Sequence, residues 1–156
     1  MNLNGKTTFF MILMAILWVL IVLMGWKGIW FPSMFLSLII IGIHMMLGSA
    51  KKGILSKKLF VYPILSWFIV WALSFGLSKY HADMFAGRMP DFTILGFHPS
   101  FAWTIILYFI GGVLTISVGY RVLADEWLTK KEWEEFKDNI KKLNEERGGE
   151  YSDSRN

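Results

Sequence analysis

Four long stretches of this chain carry no Asp, Glu, Lys or Arg. They lie between Thr7 and Trp26, Gly28 and Ala50, Leu59 and Ser78, and Pro99 and Tyr120. A hydrocarbon layer about 30 Å thick needs roughly 20 apolar residues of helix to cross it. Each stretch is long enough. Helices of a soluble bundle would each keep a polar face, and these keep almost none. Composition agrees, with 54% of residues hydrophobic and only 18% charged. The expected fold is an all-α integral membrane protein: four transmembrane helices arranged as two hairpins, then a cytoplasmic amphipathic C-terminal helix.

The first apolar run, TTFFMILMAILWVLIVLMGW, exceeds the core of a signal peptide, and no small-residue cleavage site follows it. It is read as a retained helix, about Thr8 to Met24. Gly25 to Gly28 make a tight connection, and Pro32 and Ser33 open a second helix that runs to about Gly48. These make an N-terminal hairpin over 1–50. A basic loop, KKGILSKK, occupies 51–58. The second hairpin spans 59–123. Its first helix runs from about Leu59 to Ser78, with Pro63 in the first turn, where proline costs little. The polar segment 79–99 reads as an external loop. His98, Pro99 and Ser100 read as the capped start of the last membrane helix, about Phe101 to Leu123. Residues 124–147 read as the cytoplasmic helix and 148–156 as a frayed tail.

Lysines and arginines orient the spans. Lys6, the cluster Lys51, Lys52, Lys57 and Lys58, and then Arg121, Lys130 and Lys131 fall on one side after an even number of crossings. The other side holds Lys27, Lys79 and Arg88. Both termini are therefore expected in the cytoplasm, with the chain integral to the plasma membrane. Trp26, Trp30, Tyr80 and Trp103 would form the outer aromatic belt. Tyr62 and Tyr120 would lie near the inner face.

Few residues suggest chemistry. The chain has no cysteine, which excludes disulfides, thiolate metal sites and cysteine nucleophiles. His44 lies inside an apolar helix, where an ionisable residue is a functional candidate; a neutral imidazole bonded to a neighbouring helix explains it more simply. His81, Asp83, Asp91 and His98 fall in or beside the outer segment, too loosely spaced for a compact metal motif. There is no phosphate-binding glycine loop, serine–histidine–acid grouping or HExxH. No charge interrupts the spans, as an ion-driven carrier would generally need. The chain is expected to be no enzyme and to need no metal or other cofactor. No nucleic-acid partner is expected.

What remains is packing. Gly111, Thr115 and Gly119 recur at intervals of four, as do Ala72 and Gly76. Small residues so spaced let helix backbones approach closely in lipid, against a helix of the same chain or of a partner. Trp67, Trp71 and Trp103 supply large surfaces opposite such grooves. In the tail, Trp133, Phe136, Ile140 and Leu143 form a narrow apolar stripe on a helix. Its polar faces carry balanced charge rather than the basic face of a membrane-surface helix, so the stripe reads as a protein-docking face.

The second hairpin resembles a known family. SWFIVWALSFGL, a polar loop and then ILGFHPSFAWTIILYFIGGVLTISVGYR are similar to the small two-helix accessory subunits of sodium:solute symporters. Trp67, Phe68, Trp71, Phe75 and Gly76 match the aromatic helix. Ile94, Leu95, Gly96, Phe97, Pro99, Phe101 and Trp103 match the turn and the helix that follows. His98 is inserted where that family runs Gly-Phe-Pro directly. The resemblance covers about residues 60–125. It implies a non-catalytic accessory subunit packed on a larger integral membrane subunit of a secondary transporter. Two other readings compete. One is a self-assembling pore or small carrier lined by Ser66, Ser74, Ser78, Thr104, Thr115 and Ser117. The other is a membrane enzyme or redox subunit using His44, His81 and His98.

Overall fold

The computed structural model describes residues 1–153, with side chains described as far as residue 145. Among the described residues all regular structure is helical, without a β-strand. Four helices are long and apolar enough to cross a membrane: α1 (Thr7–Trp26), α2 (Trp30–Gly48), α3 (Lys57–Met84) and α4 (Pro99–Val122). They belong to one compact unit, Met1–Leu123, and the segment from Ala124 onward forms a second.

Within the first unit, contacts join α1 to α2, α2 to α3 and α3 to α4. Met14 and Leu17 of α1 meet Ile43 and Ile40 of α2. The rest of α1 presents Ile12, Ile16, Val19 and Leu23 outward, as a helix solvated by lipid would. Phe35 of α2 meets Phe75 of α3 edge-on, with ring centroids 6.2 Å apart. The α3–α4 pair is the most specific. Ser74 donates its hydroxyl to the main-chain oxygen of Trp103 at 3.1 Å, and Trp71 donates to that of Tyr108 at 3.0 Å. Lipid supplies no hydrophobic drive between helices, so close packing and such interhelical bonds must hold them together.

The two ends of the unit differ. At the basic end, the N-terminal residues pair with the α2–α3 loop. Leu3 N–H donates to Gly53 O at 2.7 Å, and Leu55 N–H donates to Met1 O at 2.8 Å. This pairing places Leu3, Leu55, Leu59 and Ile64 in a buried apolar cluster, with Leu55 and Leu59 at 0% exposure. A hydrogen bond of 2.6 Å between Ser49 and Tyr120 joins α2 to α4 at the same end. At the opposite end, Lys79 pairs with Asp83 one turn along α3 and stands 5.8 Å over the ring of Trp30.

Several boundaries depart from the sequence reading. The expected external loop 79–99 begins later, because α3 continues through Lys79, Tyr80 and His81 to Met84. The Lys79–Asp83 pair supports that extra turn, since charges four apart on a helix attract each other. The helix also starts earlier, at Lys57, so Pro63 lies beyond its first turn. The backbone accommodates the missing N–H by widening into a π-helix over Phe60–Leu65. Much of α4 is π-helical too, over Thr104–Gly111 and Val113–Val118. The expected capped start of α4 takes a specific form. His98 is the cap residue, its Nδ1 accepts from Ser100 N–H, and Pro99 opens the helix.

The second unit contains a short α5 (Ala124–Trp127) and then α6 (Lys130–Asp153). Thr129 and Glu132 cap α6 reciprocally. Thr129 N–H donates to the Glu132 carboxylate at 2.8 Å, and Glu132 N–H donates to the Thr129 hydroxyl at 3.3 Å. The expected single helix over 124–147 is therefore interrupted near Thr129. The segment read as frayed, 148–156, is helical as far as Asp153, and residues 154–156 lie outside the described residues.

Candidate functional site

Trp67, Trp71 and Phe75 occur every fourth residue on α3 and form an aromatic ladder. Centroids are 4.7 Å apart for Trp67–Trp71 and 6.4 Å for Trp71–Phe75. Tyr108 of α4 lies against it, stacked on Trp71 at 3.9 Å and 6.0 Å from Phe75. The ladder needs room on α4, and glycine provides it. A Cβ at Gly112 would stand 2.9 Å from Trp71 Nε1, and one at Gly111 would stand 2.5 Å from Val70 Cγ1. About two turns along, a Cβ at Gly119 would stand 3.1 Å from Pro63. The glycines of α4 thus seat α3 closely, as small residues do between helices in lipid.

Tyr108 also divides the space between α2 and α4. On one side is a groove of about 560 Å³ bordered by Trp30, Phe31, Met34, Phe75 and Thr104. On the other is a groove of about 550 Å³ bordered by Ile41, Met45, Trp67, Gly112 and Tyr120. Both are open and mostly apolar. The aromatic ladder floors them, and α2 and α4 wall them.

The structure divides the expected packing residues into two sets. Trp67 is 2% exposed, and Trp71, Gly111 and Gly119 make their close contacts within the chain. Trp103 donates its indole N–H toward His81 Nδ1 at 3.2 Å. Thr115 returns its hydroxyl to its own helix, donating to Gly111 O at 2.8 Å. Ala72 is half-buried. Gly76 differs from the α4 glycines, since open space lies where its side chain would be. Gly112 was not singled out by the four-residue spacing, which runs through Gly111. Its only sequence signal is the paired glycine, and the face it serves becomes visible once Trp71 is placed.

The histidines have local partners. His44 is exposed, and its Nδ1 lies 2.9 Å from the main-chain oxygen of Ile40 on its own helix, rather than on a neighbouring helix as the sequence suggested. His81 lies on the extension of α3, its Nδ1 2.9 Å from Leu77 O. His98 Nδ1 lies 2.8 Å from the Ser100 hydroxyl. Among the described residues, no group of three His, Asp or Glu side chains converges as a metal site.

In the second unit, the apolar stripe of α6 is exposed. Trp133 and Phe136 stack with centroids 5.7 Å apart, and Trp133, Phe136, Ile140 and Leu143 remain between 41% and 53% exposed. The pairs Lys131–Glu135 and Lys137–Glu134 support the helix from its polar faces. The chain matches none of the protein-family models, curated proteins or solved structures with which it was compared.

Proposed function

We propose that this chain is a non-catalytic accessory subunit of a larger membrane transport complex. It sits in the plasma membrane as two helical hairpins with both termini in the cytoplasm. The observation that carries this reading is the pair of grooves flanking Tyr108. A helix bundle complete in itself would close α2 onto α4. Here the space stays open along an aromatic floor, which suits a transmembrane helix of a larger subunit. The stripe on α6 offers a second, water-side docking face. The likeness of residues 60–125 to the small subunits of sodium:solute symporters points to a secondary transporter as that larger subunit.

A pore or carrier formed by this chain alone has less support. It would need free hydroxyls along a path. Ser66 donates to Tyr62 O, Ser74 to Trp103 O and Thr115 to Gly111 O, so these groups already serve backbone carbonyls.

The test is affinity isolation of the tagged chain from membranes in mild detergent. A much larger membrane protein is expected in stoichiometric amount, and recovery of the chain alone would sink the proposal. Because the chain has no cysteine, orientation can be read from single cysteines placed at Ser56 and at Met89. The first is expected to be shielded from an external thiol reagent and the second to be labelled.

A further inference from the structure

The groove of about 550 Å³ beside Tyr108 holds an unanswered hydrogen-bond donor. Trp67 forms part of its floor and is 2% exposed. The indole N–H groups of Trp71 and Trp103 meet Tyr108 O and His81 Nδ1. Among the described residues, the indole N–H of Trp67 has no hydrogen-bond partner. Yet no fully enclosed side-chain nitrogen or oxygen among them lacks one. The Trp67 N–H therefore reaches open space, and the open space that Trp67 borders is this groove.

That donor lies deep. Trp67 is ten residues from Lys57 and twelve from Lys79, roughly 15 Å and 18 Å along a helix. It sits near the middle of a hydrocarbon layer about 30 Å thick, where water is absent and an unmet N–H is costly. A second donor stands close by. α4 meets Trp71 at Gly112 and Pro63 at Gly119. Trp67 is midway between Pro63 and Trp71, which puts it level with residues 115–116. Ser117 borders the groove at that level and is exposed. Among the described residues its hydroxyl makes no hydrogen bond.

These features suit an occupant that is neutral, flat and furnished with acceptors. None of the lining residues is charged, so a charged headgroup at this depth would have no counter-ion. Phospholipid carbonyls are held at the interface, about 15 Å away. Trp71 stacked on Tyr108 gives the floor an aromatic face, on which a further ring packs favourably. Ile41, Met45 and Val113 add apolar surface. We infer that this groove binds the head of an isoprenoid quinone. One carbonyl oxygen accepts from Trp67 Nε1–H, Ser117 is a further donor, and the tail leaves through the open side into lipid. The inference rests on the bilayer placement proposed above and not on a partner, so a chain that recruits no transporter is still expected to bind the quinone. A helix of a larger subunit laid over the groove would close the quinone in.

The test is nuclear magnetic resonance of the isotope-labelled full chain in phosphatidylcholine nanodiscs, titrated with decylubiquinone. Of the eight indole N–H signals, that of Trp67 is expected to move downfield and to saturate with one bound quinone. Trp67→Phe keeps a ring and removes the donor. It is expected to weaken binding about tenfold, equivalent to about 1.4 kcal/mol. Ser117→Ala is expected to weaken it about threefold, and Ser78→Ala, in the other groove, should leave it unchanged. Decylbenzene has a ring and the same tail without a carbonyl, and is expected to bind at least about tenfold more weakly. Circular dichroism would show that each variant keeps its helices. Should Trp67→Phe fail to fold, the Trp67 signal of the parent chain and the Ser117→Ala loss decide. A Trp67 signal that stays in place at saturating quinone, or that moves only as all the indoles do, would overturn the site and leave the groove to a helix of the larger subunit. Equal binding of decylbenzene would also overturn it, by showing that only apolar surface is recognised, as would undiminished binding by folded Trp67→Phe.

Discussion

The indole N–H of Trp71 reaches across to the main-chain oxygen of Tyr108 at 3.0 Å while the two rings stack 3.9 Å apart. One pair of residues thus fixes both the register and the separation of α3 and α4. In lipid this is a strong way to specify a helix pair. Interhelical hydrogen bonds there average about 0.6 kcal/mol, and an aromatic pair adds about 0.5–1.5 kcal/mol beyond area. Trp71→Phe keeps a ring and loses the donor. It is expected to lower unfolding stability in bicelles by about 1 kcal/mol. Trp71→Ala removes the ring as well and should cost about 3–5 kcal/mol. Equal losses for the two variants would show that the hydrogen bond contributes nothing.

Gly112 faces that same indole. An alanine there would place its Cβ 2.9 Å from Trp71 Nε1, and the bulky indole is held by its stack on Tyr108. Gly112→Ala is expected to force α3 and α4 apart and to destabilise the chain by about 1–3 kcal/mol. Gly76→Ala meets open space and should leave the isolated chain within about 0.5 kcal/mol of the parent. The two substitutions change the same atoms, so the comparison isolates packing from helix propensity. Similar stability losses at both positions would refute the assignment of Gly112 to the α3 contact.

Much of this arrangement was legible in the sequence because hydrocarbon punishes charge so strongly. The uncharged stretches sufficed to place the cores of α1 to α4. The ends were harder. Lys79, Tyr80 and His81 read as the start of a loop because they are polar. A helix projecting beyond the hydrocarbon can carry such residues, and Asp83 pairs with Lys79 to sustain it. The π-helical stretches of α4 left no mark that spacing could detect, since residues four apart stay near one face in either helix. Small residues at intervals of four suggested a close helix contact but not whether its partner lay in this chain or another. The seat of the tryptophan ladder, Gly112, was not suggested, because its role depends on a ring from another helix. The pairing of residues 1–3 with 53–55 was likewise hidden, being a backbone contact between two segments that each read as loop.

The ILGF stretch that carried the family resemblance forms a two-residue turn, with Ile94 and Phe97 exchanging backbone hydrogen bonds of 3.1 and 3.0 Å. Its central residues both take positive φ, +52° at Leu95 and +80° at Gly96. Glycine accepts this conformation freely, but leucine pays a steric cost of roughly 1–2 kcal/mol because its Cβ crowds the backbone. Leu95 is 73% exposed, so little packing offsets the strain. Leu95→Asn is expected to stabilise the turn by about 1 kcal/mol, since Asn tolerates the left-handed region and favours such turns. Slower amide exchange at Ile94 and Phe97 would register the gain. If the variant instead lost the larger membrane partner while its exchange slowed, Leu95 would be strained for recognition rather than by accident.

The exposed stripe on α6 allows the proposed docking to be tested apart from folding. Trp133 and Phe136 stack on each other, and both side chains remain open to solvent beside charged faces that already stabilise the helix. Trp133→Glu with Phe136→Glu removes apolar surface while leaving the residues of α1 to α4 and of the Thr129–Glu132 cap unchanged. The full chain is therefore expected to keep its helical content and its thermal transition in detergent. Recovery of the larger subunit in affinity isolation is expected to fall by at least tenfold, the equivalent of about 1.4 kcal/mol. Glutamate at these positions also repels any anionic membrane surface, so the partner must be distinguished from lipid. Flotation of a peptide of residues 124–156 with anionic vesicles provides that control, because a docking stripe should leave the peptide unbound. Vesicle binding by the parent tail, lost in the double variant, would reassign the stripe to the headgroup layer. Undiminished recovery of the proposed larger subunit would remove α6 from the proposed interface and leave the grooves beside Tyr108 as the remaining candidate contact.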